Sequence, residues 1–236
     1  MKRLLNTMRW DIQLQLRNGF YYASAFVALV MTILFRQIPN MNYAAWWPAI
    51  LMENLAINSF YFMSGLVLLE KGEGTLEYQV VTPLRSWEYM ASKVLTLGLL
   101  STLESVLVII AVSGPHFFWP ALIAGIVFLV VIYALYGLIV VVRYNSINEF
   151  LLPSVLWTVA YSLPLLYFSD LWPSPILFLH PVQAPMILMR AAFQPVPTWQ
   201  VVYGVLYSAL WVGIAYTFSR KAFYKFVFTK EGGRKS

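Results

Sequence analysis

The chain predicts an all-α, polytopic membrane protein, and three observations carry that class. Hydrophobic residues make up 60% of its 236 residues and charged residues only 11%, against about a quarter charged in average soluble domains. The apolar residues fall into six long continuous runs. The basic residues are distributed unevenly between the segments that join those runs. A transmembrane helix needs about 20 apolar residues, and a β-barrel would show short alternating strands instead of continuous runs.

In chain order the predicted spans are Phe20 to Ile38, Tyr43 to Leu69, Val94 to Ser113, Phe117 to Val142, Phe150 to Phe168 and Trp199 to Phe218. Six spans place both termini on one side, and that side collects 14 of the 16 Lys and Arg. Only Arg36 and Arg190 fall on the other. Cytoplasmic loops carry the excess of Lys and Arg, so both termini, the 70–93 segment and the 143–149 segment are expected in the cytoplasm.

Ahead of the first span, "MKRLLNTMRWDIQLQLRN" repeats Met1, Leu5, Met8, Ile12 and Leu16 at spacings of three and four. This pattern predicts an amphipathic helix over 1–19 that lies in the headgroup layer, turned into the bilayer at Asn18-Gly19. A cleaved signal peptide fits worse, since the apolar run starts late and no small-residue cleavage site follows it. Between spans five and six, residues 169–198 carry prolines at 173, 175, 181, 185, 195 and 197. Those prolines forbid one long helix and predict short helices that lie on or dip into the outer leaflet. No repeat of 20 to 50 residues and no second domain is visible, so 1–236 reads as one transmembrane domain.

Composition excludes several function classes. There are no cysteines, hence no disulfide framework or thiolate metal site. His116 and His180 each lack a neighbouring ligand, so no metal site is predicted. The net charge of +6 follows the orientation bias and forms no basic groove with interleaved exposed aromatics, so nucleic acid is not an expected partner. No Gly-x-Ser-x-Gly, His-Glu-x-x-His or Cys-His arrangement appears, and no catalytic residue is assigned. A membrane-embedded enzyme is therefore disfavoured.

The most polar stretch is "EKGEGTLEYQVVTPLRSWEYMASK", residues 70–93, with seven charged side chains. Gly72 and Gly74 break the second span's helix, and Thr75 can cap a short helix with Glu77 in its first turn. Thr82-Pro83 ends that helix, Ser86 can cap the next, and Glu88 sits in the next first turn. A bare turn needs about five residues. A short amphipathic helix with Leu76, Tyr78, Val80 and Val81 among its charges can instead lie in a partner's groove.

This loop resembles the first cytoplasmic loop of ABC-transporter permeases of the second type. The matching residues are Glu73, Gly74, Thr75, Leu76, Glu77, Thr82 and Pro83, then Lys93 at the start of span three. The interfacial N-terminal helix, the six spans and the apolar-Pro segment "FLHPVQAPMILMR" extend the similarity along the chain. In size the chain is similar to compact drug-export permeases of that family, the fluoroquinolone-export subgroup among them. The resemblance implies a coupling helix over 70–93 that docks on an ABC ATPase, with Glu73, Gly74, Thr75, Leu76, Glu77, Tyr78, Thr82 and Pro83 as the docking residues. It further implies two ATPase subunits per complex, a second permease subunit (identical or related), surrounding lipid, export, and a bacterial plasma membrane. The chain has no GxxxxGK[ST] loop, so ATP and Mg are expected in the partner and no cofactor in this chain.

Two acids fall within predicted spans, Glu53 and Glu104. An intramembrane acid is costly and marks a functional candidate. Asn54, Asn58, Tyr61 and Gly65 share a stripe on span two, and Gly98, Ser101, Glu104 and Ser105 share one on span three. Glu53, Asn54, Asn58, Tyr61, Ser101 and Glu104 are the candidate substrate-pathway residues, which would favour cationic or hydrogen-bonding amphiphiles. The competing expectation is that these groups only join helices. A rival function uses Glu53 and Glu104 as ion sites of a gradient-driven secondary transporter.

Overall fold

In the computed structural model, which describes residues 2–76 and 85–225, the described residues form helices joined by turns. Helix α1 spans Lys2–Arg17 and α2 spans Phe20–Arg36, bent by 62° at their junction. Gly19 makes that bend at φ 81°, a left-handed backbone that glycine adopts without steric cost. The predicted turn at Asn18-Gly19 is therefore present.

The second predicted span is one continuous rod of three parts: α3 (Tyr43–Leu55), a π-helical stretch (Ala56–Tyr61) and α4 (Phe62–Gly72). The Asn42 side chain caps its start by accepting from Ala45 N–H. Its end follows the expected glycine logic, with α4 stopping at Gly72 and Gly74 at φ 70°. Helix α5 spans Ser86–Ser113, α6 Trp119–Val141, α7 Ile147–Tyr161 and α8 Leu165–Phe168. A 3₁₀ turn at Pro175–Leu179 follows, then α9 (Gln183–Phe193) and α10 (Thr198–Phe223).

The core is organised around α6, which is apolar on every side and packs against the π-helical stretch, α4, α5, α9 and α10. Leu122, Ile126, Leu129, Ile132, Ala134, Leu138 and Val141 are fully buried along it. An all-round apolar helix is a buried helix, and this one is the mast of the bundle. Two of its glycines permit close approaches. A Cβ on Gly125 would lie 2.8 Å from Met189 N and Pro185 O of α9, and one on Gly137 would lie 2.7 Å from Phe60 O of the π-helical stretch.

Four rods are long and apolar enough to cross a membrane: Tyr43–Gly72, Ser86–Ser113, Trp119–Val141 and Thr198–Phe223; the bent α1–α2 pair makes a fifth if it counts as one span. The protein is thus an all-helical integral membrane protein. The run predicted as a fifth span, Phe150 to Phe168, is not one helix. Helix α7 has 15 residues, about 22 Å at helical rise, and stops where Pro164 lacks the N–H that would reach Ala160 C=O. His180, 20 residues further on, offers its Nε2 to that carbonyl at 3.1 Å, while its Nδ1 accepts from Val182 N–H. This pins the neutral imidazole, and burial lowers its pKa to about 4. Of the two expectations for residues 169–198, lying on the surface or dipping in, the packing of α9 fits the second. Helix α9 dips into the bundle, with Ala184, Met186, Ile187, Leu188 and Met189 fully buried, and Ala192 C=O accepts from Phe118 N–H at 2.9 Å.

Candidate functional site

At the end of the bundle where α4 stops and α5 starts, three charged side chains from three helices converge with almost no exposure. Lys93 of α5 is 0% exposed, Asp11 of α1 4% and Glu70 of α4 5%. Lys93 Nζ lies 2.9 Å from Asp11 Oδ1 and 2.5 Å from Glu70 Oε1. The second oxygen of each carboxylate is also engaged. Ser92 Oγ donates to Asp11 Oδ2, and Tyr89 OH donates to Glu70 Oε2 at 2.6 Å. The ammonium also stands 4.7 Å from the centre of the Tyr89 ring. One turn deeper, Gln15 Nε2 donates to Thr96 Oγ1 at 2.8 Å. On α5 the residues Tyr89, Ser92, Lys93 and Thr96 follow the i, i+3, i+4, i+7 spacing of one helix face.

A buried ion cluster is tolerated only when its lone pairs and protons are satisfied, and here all four carboxylate oxygens have donors. The cluster locks α1 to the two rods that flank the 70–93 loop. Lys71 adds a third anchor by donating to the carbonyls of Val142 and Tyr144 beyond α6, each at 2.7 Å. Cations suit the carbonyl end of a helix. Helix α1 thereby turns Asp11 and Gln15 inward and leaves Leu5, Asn6, Arg9 and Leu16 exposed.

The described part of the loop starts from this clamp. Glu73 pairs with Arg17 at 2.9 Å on the surface. Thr75 Oγ1 donates to Glu70 C=O at 3.1 Å, and Leu76 is buried. Glu77, Tyr78, Thr82 and Pro83 lie outside the described residues. Ser86 is the first helical residue of α5 and not its cap. The start of α5 is closed by the Glu88 carboxylate, which accepts from Arg85 N–H at 2.9 Å. A carboxylate at the third helical position reaches back to that N–H without help from the serine hydroxyl.

The six candidate pathway residues divide between two seams. Asn54, Asn58, Ser101 and Glu104 meet between the α3–π rod and α5, each 0–5% exposed. Glu104 Oε2 accepts from Asn54 Nδ2 at 2.6 Å and Asn58 Nδ2 at 3.1 Å. Ser101 Oγ donates to the Asn58 carbonyl at 3.1 Å and accepts from Ser59 Oγ at 3.2 Å. Glu53 and Tyr61 face α7 instead. Ser162 Oγ donates to Glu53 Oε1 at 2.7 Å, and Tyr61 OH lies 2.8 Å from Thr158 Oγ1. The two acids do not converge, because Asn54 faces Glu104 and the adjacent Glu53 points about 100° away from it.

In this conformation the first seam joins helices through its own side chains. Glu104→Gln keeps the accepting oxygen and should hold stability within about 1 kcal/mol of wild type. Glu104→Leu strands two buried amides and should lose about 2–3 kcal/mol. Denaturant unfolding in detergent measures both. Transport lost in Glu104→Gln at unchanged stability would show that the carboxylate itself acts on the transported molecule.

Comparison with known proteins matches residues 2–231 to the model of the Fluoroquinolones export permease protein family. The chain belongs to that family. Two Fluoroquinolones export permease proteins of Mycobacterium tuberculosis, from strains CDC 1551 / Oshkosh and ATCC 25618 / H37Rv, are each 34% identical to it over 210 residues. Those alignments cover 88% of this chain and 89% of each relative. The similarity to the drug-export subgroup, suggested by the size of the chain, is thereby established, and the Fluoroquinolones export permease family member described here is a membrane permease.

Sequence reading placed Lys93 in a motif and Glu70 at the loop's edge, and did not single out Asp11. One signal was available. Asp11 is the lone acid in an N-terminal helix whose other charges, Lys2, Arg3, Arg9 and Arg17, are all basic.

Proposed function

We propose that this protein is the membrane-spanning subunit of an ATP-driven ABC exporter that moves an amphipathic small molecule out of the cytoplasm. The named substrate of its relatives makes fluoroquinolones the first compounds to test. In this reading residues 1–236 form one six-span domain, with α2 as the first span and the broken α7–α8 unit as the fifth. Both termini lie on the cytoplasmic side of a bacterial plasma membrane, as the bias of 14 basic residues to two supports. Two such subunits, identical or related, pair with two ATPase subunits that hold ATP and Mg. Outward- and inward-open states then alternate, with their populations set by the ATPase.

The observation that carries this reading is the Lys93–Asp11–Glu70 clamp at the foot of the 70–93 loop. A coupling loop delivers force only if its base does not give way. Here the base is fixed to α1, α4 and α5 by buried charge, so a push on the loop moves two rods and the interfacial helix as one body.

The test is a pull-down from native membranes with Glu73→Lys/Glu77→Lys. Association with an ATPase should fall at least about tenfold, as expected when charge complementarity at an interface is reversed. Folding should persist, because the exposed Arg17–Glu73 pair is worth at most about 1 kcal/mol. Unchanged association removes the docking role of the loop. Uphill transport by the purified chain alone, driven by a proton gradient, would establish the secondary-transporter reading through Glu53 or Glu104.

A further inference from the structure

Helices α6 and α10 end side by side, at Val141 and Phe223, at the same end of the bundle as the Lys93 clamp. Two cavities adjoin there. One, of 370 Å³, lies between the helices and is lined by Ile139, Arg143, Phe218, Lys221, Ala222 and Lys225. The other, of 610 Å³, runs along α10 and is lined by Tyr216, Thr217, Arg220, Lys221, Tyr224 and Lys225. They share Lys221 and Lys225. Four cations therefore line the pair, and no acid does among the described residues. Arg143, Arg220 and Lys221 form no ion pair with any described residue. Nor is Arg143 needed to satisfy the end of α6, since Lys71 already donates to the carbonyls of Val142 and Tyr144.

The remaining lining is apolar or amphipathic. Ile139, Ala222 and Phe218 form the floor between the helices, and Phe218 and Tyr224 are each 58% exposed. Residues 218, 221, 222 and 225 fall on one helix face by their i, i+3, i+4, i+7 spacing. Cations thus sit at the helix ends with an apolar surface running back along the spans. A soluble anion would use the cations and leave the apolar floor uncovered. A zwitterionic lipid would cover the floor and leave Arg143, Arg220 and Lys221 uncompensated. A lipid with a net negative headgroup satisfies both, and basic pockets between helices at the membrane surface are built for such headgroups.

We propose that this face is a binding site for an anionic phospholipid. Its phosphate sits among Arg143, Lys221 and Lys225, and its glycerol–acyl region lies on Ile139 and Phe218. The proposal depends on the protein being embedded in a membrane and not on what it transports.

The test is native mass spectrometry of the full chain in mild detergent after delipidation, titrated with phosphatidylglycerol, phosphatidylcholine or inorganic phosphate. Phosphatidylglycerol should bind selectively and raise the unfolding temperature in a parallel thermal assay. Arg143→Gln/Lys221→Gln should weaken phosphatidylglycerol binding roughly 10- to 30-fold, as expected for two surface charges, with phosphatidylcholine unaffected. Arg143→Lys/Lys221→Arg should retain it. Equal binding of the two lipids, or wild-type affinity in the double Gln variant, overturns the site. Displacement of the lipid by millimolar inorganic phosphate would identify a soluble-anion site and overturn the lipid assignment. If the double Gln variant does not fold, the wild-type thermal shift decides alone, and a shift no larger with phosphatidylglycerol than with phosphatidylcholine overturns the site.

Discussion

Lys93→Met is expected to destabilise the protein by about 3–5 kcal/mol, because it leaves Asp11 and Glu70 buried together with no cation between them. Lys93 is 0% exposed and supplies the only ammonium to both carboxylates among the described residues. Ser92 and Tyr89 would still donate one hydrogen bond each, which does not neutralise two carboxylates. The measurement is denaturant or thermal unfolding in detergent. Asp11→Asn/Glu70→Gln/Lys93→Met should recover most of the loss, since replacing a whole buried ion cluster by neutral groups is often close to neutral. The triple variant then separates stability from coupling. If the clamp transmits force, it should fold well and yet show ATP-dependent transport well below wild type. Wild-type transport in the triple variant would reduce the clamp to a structural fastening.

Gly125→Ala should cost about 1–3 kcal/mol or more, the range for forcing extra atoms into a packed core. The added methyl would meet the backbone atoms Met189 N and Pro185 O at 2.8 Å, and backbone cannot rotate away. Helix α9 must then lift off α6. Small residues allow such close approaches between membrane helices. Gly213→Ala on α10 is the control, with nothing within 4 Å of the added carbon. It should be neutral or slightly stabilising, since alanine is the better helix former. The pair of unfolding curves checks the prediction, and equal midpoints would refute the close packing of α9 on α6.

Most of the helical frame was legible in the sequence because lipid burial imposes long apolar runs. The rods at Tyr43–Gly72, Ser86–Ser113, Trp119–Val141 and Thr198–Phe223 match four of the predicted runs, and Gly19 and Gly74 turn the chain where expected. What the sequence did not disclose depends on partners distant along the chain. Pro164 signals a break, yet nothing local says that His180 takes up the carbonyl it frees. Asp11 and Lys93 are 82 positions apart. Glu53 and Glu104 looked alike as deep acids, and only the packing assigns one to α7 and the other to the asparagines of its neighbouring rod. The predicted Ser86 cap failed for a different reason. Serine and the glutamate two residues later both fit a helix start, and the carboxylate at that third position was free to close it.

The wide turn at Ala56–Tyr61 has an effect on rotational phase. Along α5, Lys93 and Glu104 point within about 20° of each other at 100° per residue, so both confront the same neighbouring rod. On that rod a uniform α-helix would set Asn54 and Glu70 about 160° apart, with one of them facing away from its ligand. A π turn absorbs one extra residue, which brings the two within about 60° and lets the asparagine and the glutamate address α5 together. The rod therefore behaves as a helix one residue too long that has stored its surplus in a single coil. Shortening it by one position there would leave both ends in phase.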